Sequence, residues 1–204
     1  IRAEGPVFSS GHDLRELQAA STEQAAAIFT LCSDLMEAVR LLPQPVIAQV
    51  QGLATAAGCQ LAATCDLVVA SETAGFATPG VKTGLFCTTP GVALARAVPM
   101  KKAMEMLLTG DVISAAEAKE YGLVNRVVPA DKLEEETMAL ARKVAGASSQ
   151  TIRIGKQAFY RQIAVDRPDA YTIASRVMCE NLFEPDAKEG IAAFLEKRQP
   201  RWRD

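Results

Sequence analysis

The sequence predicts an α/β fold with a parallel sheet, followed by a C-terminal region made only of helices. Three observations carry this. Two short apolar runs, residues 45–50 (PVIAQV) and 66–70 (DLVVA), flank a stretch of tiny residues that suits a short helix starting near Ala56. A third strand-like run, residues 123–128, follows a further pair of helical patterns. Strands alternating with helices build a layered α/β structure with parallel strands. Beyond residue 130 no strand pattern recurs, and four helical stretches take its place.

The elements follow in order. Residues 1–11 (IRAEGPVFSSG) read as the end of a strand entering a loop of small residues from Phe8 to Gly11. Ser21 and Gln24 have the spacing of a capping box, in which two side chains satisfy two free amides at a helix start. Ile28, Leu31, Leu35, Val39 and Leu42 recur every three to four residues, which predicts one apolar face of a helix. Pro43 and Pro45 end it. Residues 99–108 are helical, with Gly110 placed for a left-handed C-terminal cap. Ser114 with Glu117 forms a second capping box, and Gly122 closes that helix. Residues 131–145, 149–162, 168–182 and 187–197 read as the last four helices. The domain reading is an α/β core over 1–130 and a helical region over 131–204 of the same domain. So much helix needs another surface to pack on, either its own domain or a neighbouring subunit.

Bulk properties exclude several functions. The chain has 204 residues, 49% hydrophobic and 23% charged, which suits one globular domain with a sizeable core. The net charge is −2, the isoelectric point about 5.6, and aromatic residues make up 5%, so no nucleic-acid surface is expected. No apolar run reaches the ~18 residues of a membrane span. Cys32, Cys59, Cys65, Cys87 and Cys179 are odd in number and lack a CxxC spacing, and His12 is the single histidine, so a metal site has few ligands to draw on. Reduced, mostly buried thiols in an intracellular compartment are expected, with no metal and no cofactor. The first residue is Ile, so a start further upstream would hide a transit peptide.

Five stretches in order resemble one family: FSSGHDLREL (8–17), PVIAQVQGLATAAGCQLAATCDLVVAS (45–71), FATPGVKTGLF (76–86), LLTGDVISAAEAKEYGLVNRVVP (107–129) and EGIAAFLEKRQP (189–200). Together they are similar to the enoyl-CoA hydratase/isomerase (crotonase) family. The resemblance implies a repeated ββα spiral, a C-terminal helical oligomerisation region, and trimers or dimers of trimers. It also implies that the opening strands of the fold, with part of the CoA pocket, lie ahead of Ile1. The implied partner is an acyl-CoA thioester, with coenzyme A as part of the substrate. The implied location is intracellular, mitochondrial if the chain follows the family's animal members and cytoplasmic otherwise.

The family's chemistry passes through an enolate-like oxyanion, which two preorganised backbone N–H donors stabilise in a dry pocket. By resemblance the donors are the N–H groups of His12 and Ala57. Ala56, Ala57 and Gly58 stand where relatives often have three glycines; small residues let an acyl group approach the main chain. A tight helix–strand contact would demand small residues equally well. Only the His12 N–H is expected to act, its ring packing nearby. Ser10, Asp13, Leu14 and Arg15 would form the CoA-facing loop, with Arg15 suited to phosphate. Gln60, Pro79, Gly80 and Thr83 would also contact the substrate or its CoA, and Lys156 and Lys197 are further candidates for phosphate contact.

The family's hydratases usually carry one glutamate in each central segment. The matching positions here are Gln60 and Gly80. A glutamine keeps the shape of glutamate but takes up no proton near neutral pH. Each positioned acid–base group contributes roughly 100- to 10,000-fold, so ordinary hydration is expected to be weak or absent. A non-catalytic acyl-CoA-binding or regulatory subunit is the alternative. Asp66 and Glu72 read as caps or solvated ends. Lys82 points either into or away from the pocket. Cys87, with Thr88 and Thr89 just beyond the pocket loop, reads as a buried, inert thiol rather than a nucleophile.

Overall fold

In the computed structural model, which describes residues 1–203, the chain divides into two compact units, Ile1–Arg40 with Val46–Met138, and Leu41–Pro45 with Ala139–Asp204. The first unit holds every strand. Its elements are β1 (Val7–Ser9), α1 (Leu14–Ala19), α2 (Thr22–Leu41), β2 (Ile47–Val50), β3 (Leu53–Thr55), α3 (Ala57–Thr64), β4 (Leu67–Ser71) and β5 (Gly75–Ala77). Then follow a 3-10 turn (Pro79–Thr83), α4 (Thr88–Ala97), α5 (Met100–Thr109), β6 (Ile113–Ser114), α6 (Ala115–Glu120) and β7 (Arg126–Val128). A second 3-10 turn, Ala130–Lys132, leads into α7 (Leu133–Ala145), which runs on into the second unit.

Two sheets form, in the orders β1-β3-β5-β6 and β2-β4-β7. All pairings are parallel except β5 with β6. The chain alternates between the sheets: β2 then β3 then helix, β4 then β5 then helix. That is a ββα repeat, and it sets α3 between the two layers' successive strands. Ala48, Val50, Val69, Ala70, Phe76, Leu94 and Met106 are its fully buried centre.

The strand at 123–128 is shorter than the sequence pattern predicts. Leu123 and Val124 are buried, but their N–H groups close α6 by donating to Ala118 O. Only Arg126–Val128 pairs with β4. The residues 51–66 also hold β3 ahead of the helix, which the reading of one strand followed directly by a helix missed. The apolar face assigned to residues 28–42 is only partly used. Met36 and Val39 are buried, whereas Leu31 and Leu35 are 71% and 52% exposed, and Leu42 lies beyond the helix end. The Ser21–Gln24 box forms in full, with Ser21 N–H donating to Gln24 Oε1 at 2.8 Å and Gln24 N–H to Ser21 Oγ at 3.3 Å. The Ser114–Glu117 box forms by half. Ser114 Oγ accepts from Glu117 N–H, but the Glu117 carboxylate binds the buried Lys102 ammonium at 2.5 Å instead.

In the second unit, α8 (Ser149–Gln162), α9 (Arg167–Leu182) and α10 (Pro185–Leu195) pack on one another. Their ends differ by up to two residues from the predicted helices. Ser148 caps α8 through Thr151 N–H and donates to Asp186 Oδ2 at 2.5 Å. The segment after α10 is tied back. Glu189 accepts from the two terminal guanidinium nitrogens of Arg198 and from the Arg201 N–H, Asp186 accepts from Arg203 N–H, and the Trp202 indole donates to Gly146 O at 2.9 Å.

Candidate functional site

The site is built where the loop after β1 meets the first turn of α3. Gly11 has φ +87°, a left-handed conformation that side chains resist, and Ser9 Oγ accepts its N–H at 3.3 Å. A Cβ on Gly11 would stand 3.0 Å from both Ala56 Cβ and the Ala57 nitrogen. On the other side, a Cβ on Gly58 would stand 2.3 Å from Ser9 O. Two glycines, one in each segment, therefore let β1 and α3 touch backbone to backbone. The touch sets His12, next to Gly11, beside the N-terminus of α3.

Ala56 caps that helix with φ 51° and ψ −119°, a region that favours glycine. Its N–H donates to Ala77 O and its carbonyl accepts from Gln60 N–H, both at 3.0 Å. Those two bonds fix the strained residue from both sides. Ala57 is the first residue of α3, so its N–H has no partner within the helix. Among the described residues, neither the Ala57 N–H nor the His12 N–H donates to an acceptor of the chain. Two free amides thus lie together at a positive helix end, the electrostatic arrangement that holds an oxygen carrying developing negative charge.

The other predicted residues divide. The His12 ring packs edge-on against Phe29 of α2, with centroids 5.3 Å apart and planes at 79°. Asp13 is the N-cap of α1 and accepts from Arg15 N–H at 2.8 Å. Ser10, Leu14 and Arg15 are exposed on and before α1. Gln60 is buried on α3, with the Cys32 thiol 4.0 Å from its Oε1. Asp66 accepts Val46 N–H at 2.6 Å beyond the far end of α3, and Glu72 is exposed. In the second unit, Lys156 Nζ donates to Gln44 O at 3.0 Å, and Lys197 is an exposed residue with φ 56°.

The turn after β5 holds Pro79, Gly80 and Thr83. Gly80 O accepts from Leu85 N–H and from Thr83 Oγ1, both at 2.9 Å, and Gly80 N–H donates to Cys87 Sγ at 3.2 Å. A Cβ on Gly80 would lie 2.4 Å from Leu85 O and 2.8 Å from that sulfur. The place of a side chain is therefore already filled. Lys82 turns outward to Asp111 at 2.8 Å, which answers the question of its direction. Cys87 is buried at the N-cap of α4. Burial, with Cys87 nearby, pushes the Cys59 thiol up to about 12, and burial also raises Cys32. Among the described residues no cysteine forms a disulfide.

The resemblance pointed to the His12 and Ala57 amides, whereas nothing in the sequence pointed to Gly11 or the Cys87–Gly80 bond. In the sequence Gly11 is only a lone glycine before a polar loop. The sulfur contact joins residues seven apart through a turn and leaves no periodic trace.

Among the described residues no group of three or more His, Cys, Asp or Glu could hold a metal, and no helix is long and apolar enough to cross a membrane.

Comparison with known proteins adds an independent line. The family described as Enoyl-CoA hydratase/isomerase matches residues 1–204. "Enoyl-CoA hydratase domain-containing protein 3, mitochondrial" of Homo sapiens is 56% identical over 203 residues, covering 99% of this chain and 67% of that protein. The crystal structure of the human domain-containing protein 3 superposes with a TM-score of 0.93 at 56% identity, over 98% of this chain and 80% of that one. A Mycobacterium smegmatis enoyl-CoA hydratase structure gives 0.96 at 50% identity, over 98% and 78%.

Proposed function

Because the chain belongs to the enoyl-CoA hydratase/isomerase family, we propose that it binds an acyl-CoA thioester, gripping the carbonyl oxygen with the His12 and Ala57 amides, and that it hydrates enoyl-CoA weakly or not at all. The observation that carries this is the pair of unengaged N–H groups, His12 in the loop after β1 and Ala57 at the start of α3, held by a strained Ala56 and by two glycine contacts. Backbone donors need no particular side chain, which is why Ala56 and Ala57 serve where relatives often have glycine.

The chemistry follows from what surrounds the amides. Polarising the thioester carbonyl lets electrons move from the α-carbon toward oxygen. Completing a hydration needs one group to take a proton from water and another to give one to the α-carbon. Gln60 does neither near neutral pH, and Gly80 has no side chain. A step that forms an enolate without a base fits better. Loss of CO2 from a malonyl-type thioester is one. The C–C bond breaks, its electron pair enters the enolate, and water returns a proton to carbon.

The filled space at Gly80 favours a second reading, a non-catalytic acyl-CoA-binding or regulatory subunit in fatty-acid metabolism. Ser10, Asp13, Leu14 and Arg15 would face the CoA moiety, and Ala56, Pro79 and Thr83 the acyl group. Exposed apolar side chains on the helical unit support self-association into a trimer or dimer of trimers. The relatives' names support a mitochondrial location.

Calorimetric titration with crotonyl-CoA, malonyl-CoA and free CoA tests the reading, beside a mass-spectrometric screen for products. Binding of thioesters with crotonyl-CoA hydration near background is expected. No binding, or turnover equal to that of ordinary hydratases, contradicts it.

A further inference from the structure

We propose that Cys87 is a positioning residue that locks the 79–87 turn in a form with no room for a carboxylate at residue 80, which fixes the reaction specificity of the cleft. The inference rests on the thioester reading above.

Three contacts carry it. Cys87 Sγ takes the Gly80 N–H at 3.2 Å, so sulfur and residue 80 are joined directly. The same sulfur stands 2.8 Å from where a Gly80 Cβ would lie, well inside van der Waals contact. Leu85 O closes the other side at 2.4 Å and is itself held there, because Leu85 N–H donates to Gly80 O at 2.9 Å. Gly84, at φ +78°, makes the reversal that brings residues 85–87 back over Gly80. Cys87 cannot swing aside freely, since it is buried and caps the ten-residue α4, which packs on α3. Any β-carbon at residue 80 must therefore move backbone, not only a flexible side-chain end. A smaller residue at 87 removes the sulfur and gives the returning strand of the turn freedom to withdraw.

The lock acts on the turn, so its test has two parts. Amide hydrogen exchange over 79–87 compares Cys87→Ala with Cys87→Ser, both small changes that spare Gly80. Faster exchange in Cys87→Ala, and protection kept in Cys87→Ser, whose hydroxyl also accepts the Gly80 N–H, are expected. Unchanged exchange in Cys87→Ala contradicts the lock. Crotonyl-CoA hydration is then compared between Gln60→Glu/Gly80→Glu and the same pair with Cys87→Gly added. The double variant is expected to be no faster than Gln60→Glu alone, and the triple variant at least ~10-fold faster, at the low end for recovered acid–base help. A triple variant no faster than the double overturns the specificity role. Titration of the unchanged chain with crotonyl-CoA separates the failures. Absent binding with the exchange pattern intact sinks the thioester reading, whereas intact binding with unchanged exchange sinks the lock.

Discussion

Ala56 bears the conformational cost of the site. An alanine at φ 51° and ψ −119° sits where glycine is at ease, at a cost of ~1–3 kcal/mol. Ala56→Gly relieves that strain but loosens the unfolded chain by ~0.4–1 kcal/mol. The net expectation is a gain of about 1 kcal/mol, read as a higher denaturant midpoint with an unchanged slope. A loss of stability would mean that the conformation is not strained. Gly11→Ala runs the other way. Its β-carbon would press on Ala56 Cβ and the Ala57 nitrogen at 3.0 Å with φ fixed at +87°. It should cost ~1–3 kcal/mol of stability, and it should weaken thioester binding about tenfold, the equivalent of ~1.4 kcal/mol. Equal affinity in the folded variant would show that the Gly11–Ala57 approach does not shape the binding place.

At the scale of elements, what the sequence revealed depended on length and on where partners come from. α2, α5, α7 and the three helices after residue 148 were legible, since each spans several turns. β3, β5 and β6 are two or three residues long, and no period can show itself over so few. α4, with Gly91 and Pro90 in a small-residue run, lacked a clear apolar stripe. α2 had such a stripe, yet Leu31 and Leu35 stay exposed, because periodicity marks a face without saying what covers it. At the site, motif resemblance drew attention to His12 and Ala57, while the closure over Gly80 left no trace in the sequence, being a contact across a turn.

The segment after α10 makes a testable element of its own. Arg198, then the Arg201 N–H, hold the Glu189 carboxyl at about 2 instead of 4.5. A carboxyl lowered on folding contributes stability above its unfolded value and loses it as pH falls through the folded one. The tie should therefore loosen between about pH 4.5 and 2. Trp202 is the chain's only tryptophan and docks against Gly190 and Gly146 O, so its emission should shift to the red in that window. Glu189→Gln should show the shifted emission already at neutral pH. A variant with native emission at pH 7 would mean that the carboxylate does not hold the tail.

At the scale of the whole molecule, the helical unit leaves apolar surface uncovered. Tyr171, Met178 and Phe194 are 70%, 73% and 82% exposed, more than a solitary soluble unit usually leaves in the open. Light scattering is expected to report a trimer or its multiple, and Phe194→Glu to lower the mass. A monomeric unchanged chain would contradict the self-association reading. The fold and its family placement are the firm frame: a ββα repeat with parallel strands, matched along residues 1–204. Within it, the proposed reading, in which residues 60 and 80 handle no proton and the His12 and Ala57 amides grip the carbonyl, makes opposite forecasts for chemistry and for binding.

Isotope-edited infrared spectroscopy of crotonyl-CoA labelled with carbon-13 at the thioester carbonyl separates those forecasts most directly. Two N–H donors on one oxygen weaken the C=O bond, so the bound carbonyl stretch should fall below its value in water and return toward that value in Gly11→Ala. A bound stretch equal to or above the value in water would show that no pair of amides grips the carbonyl.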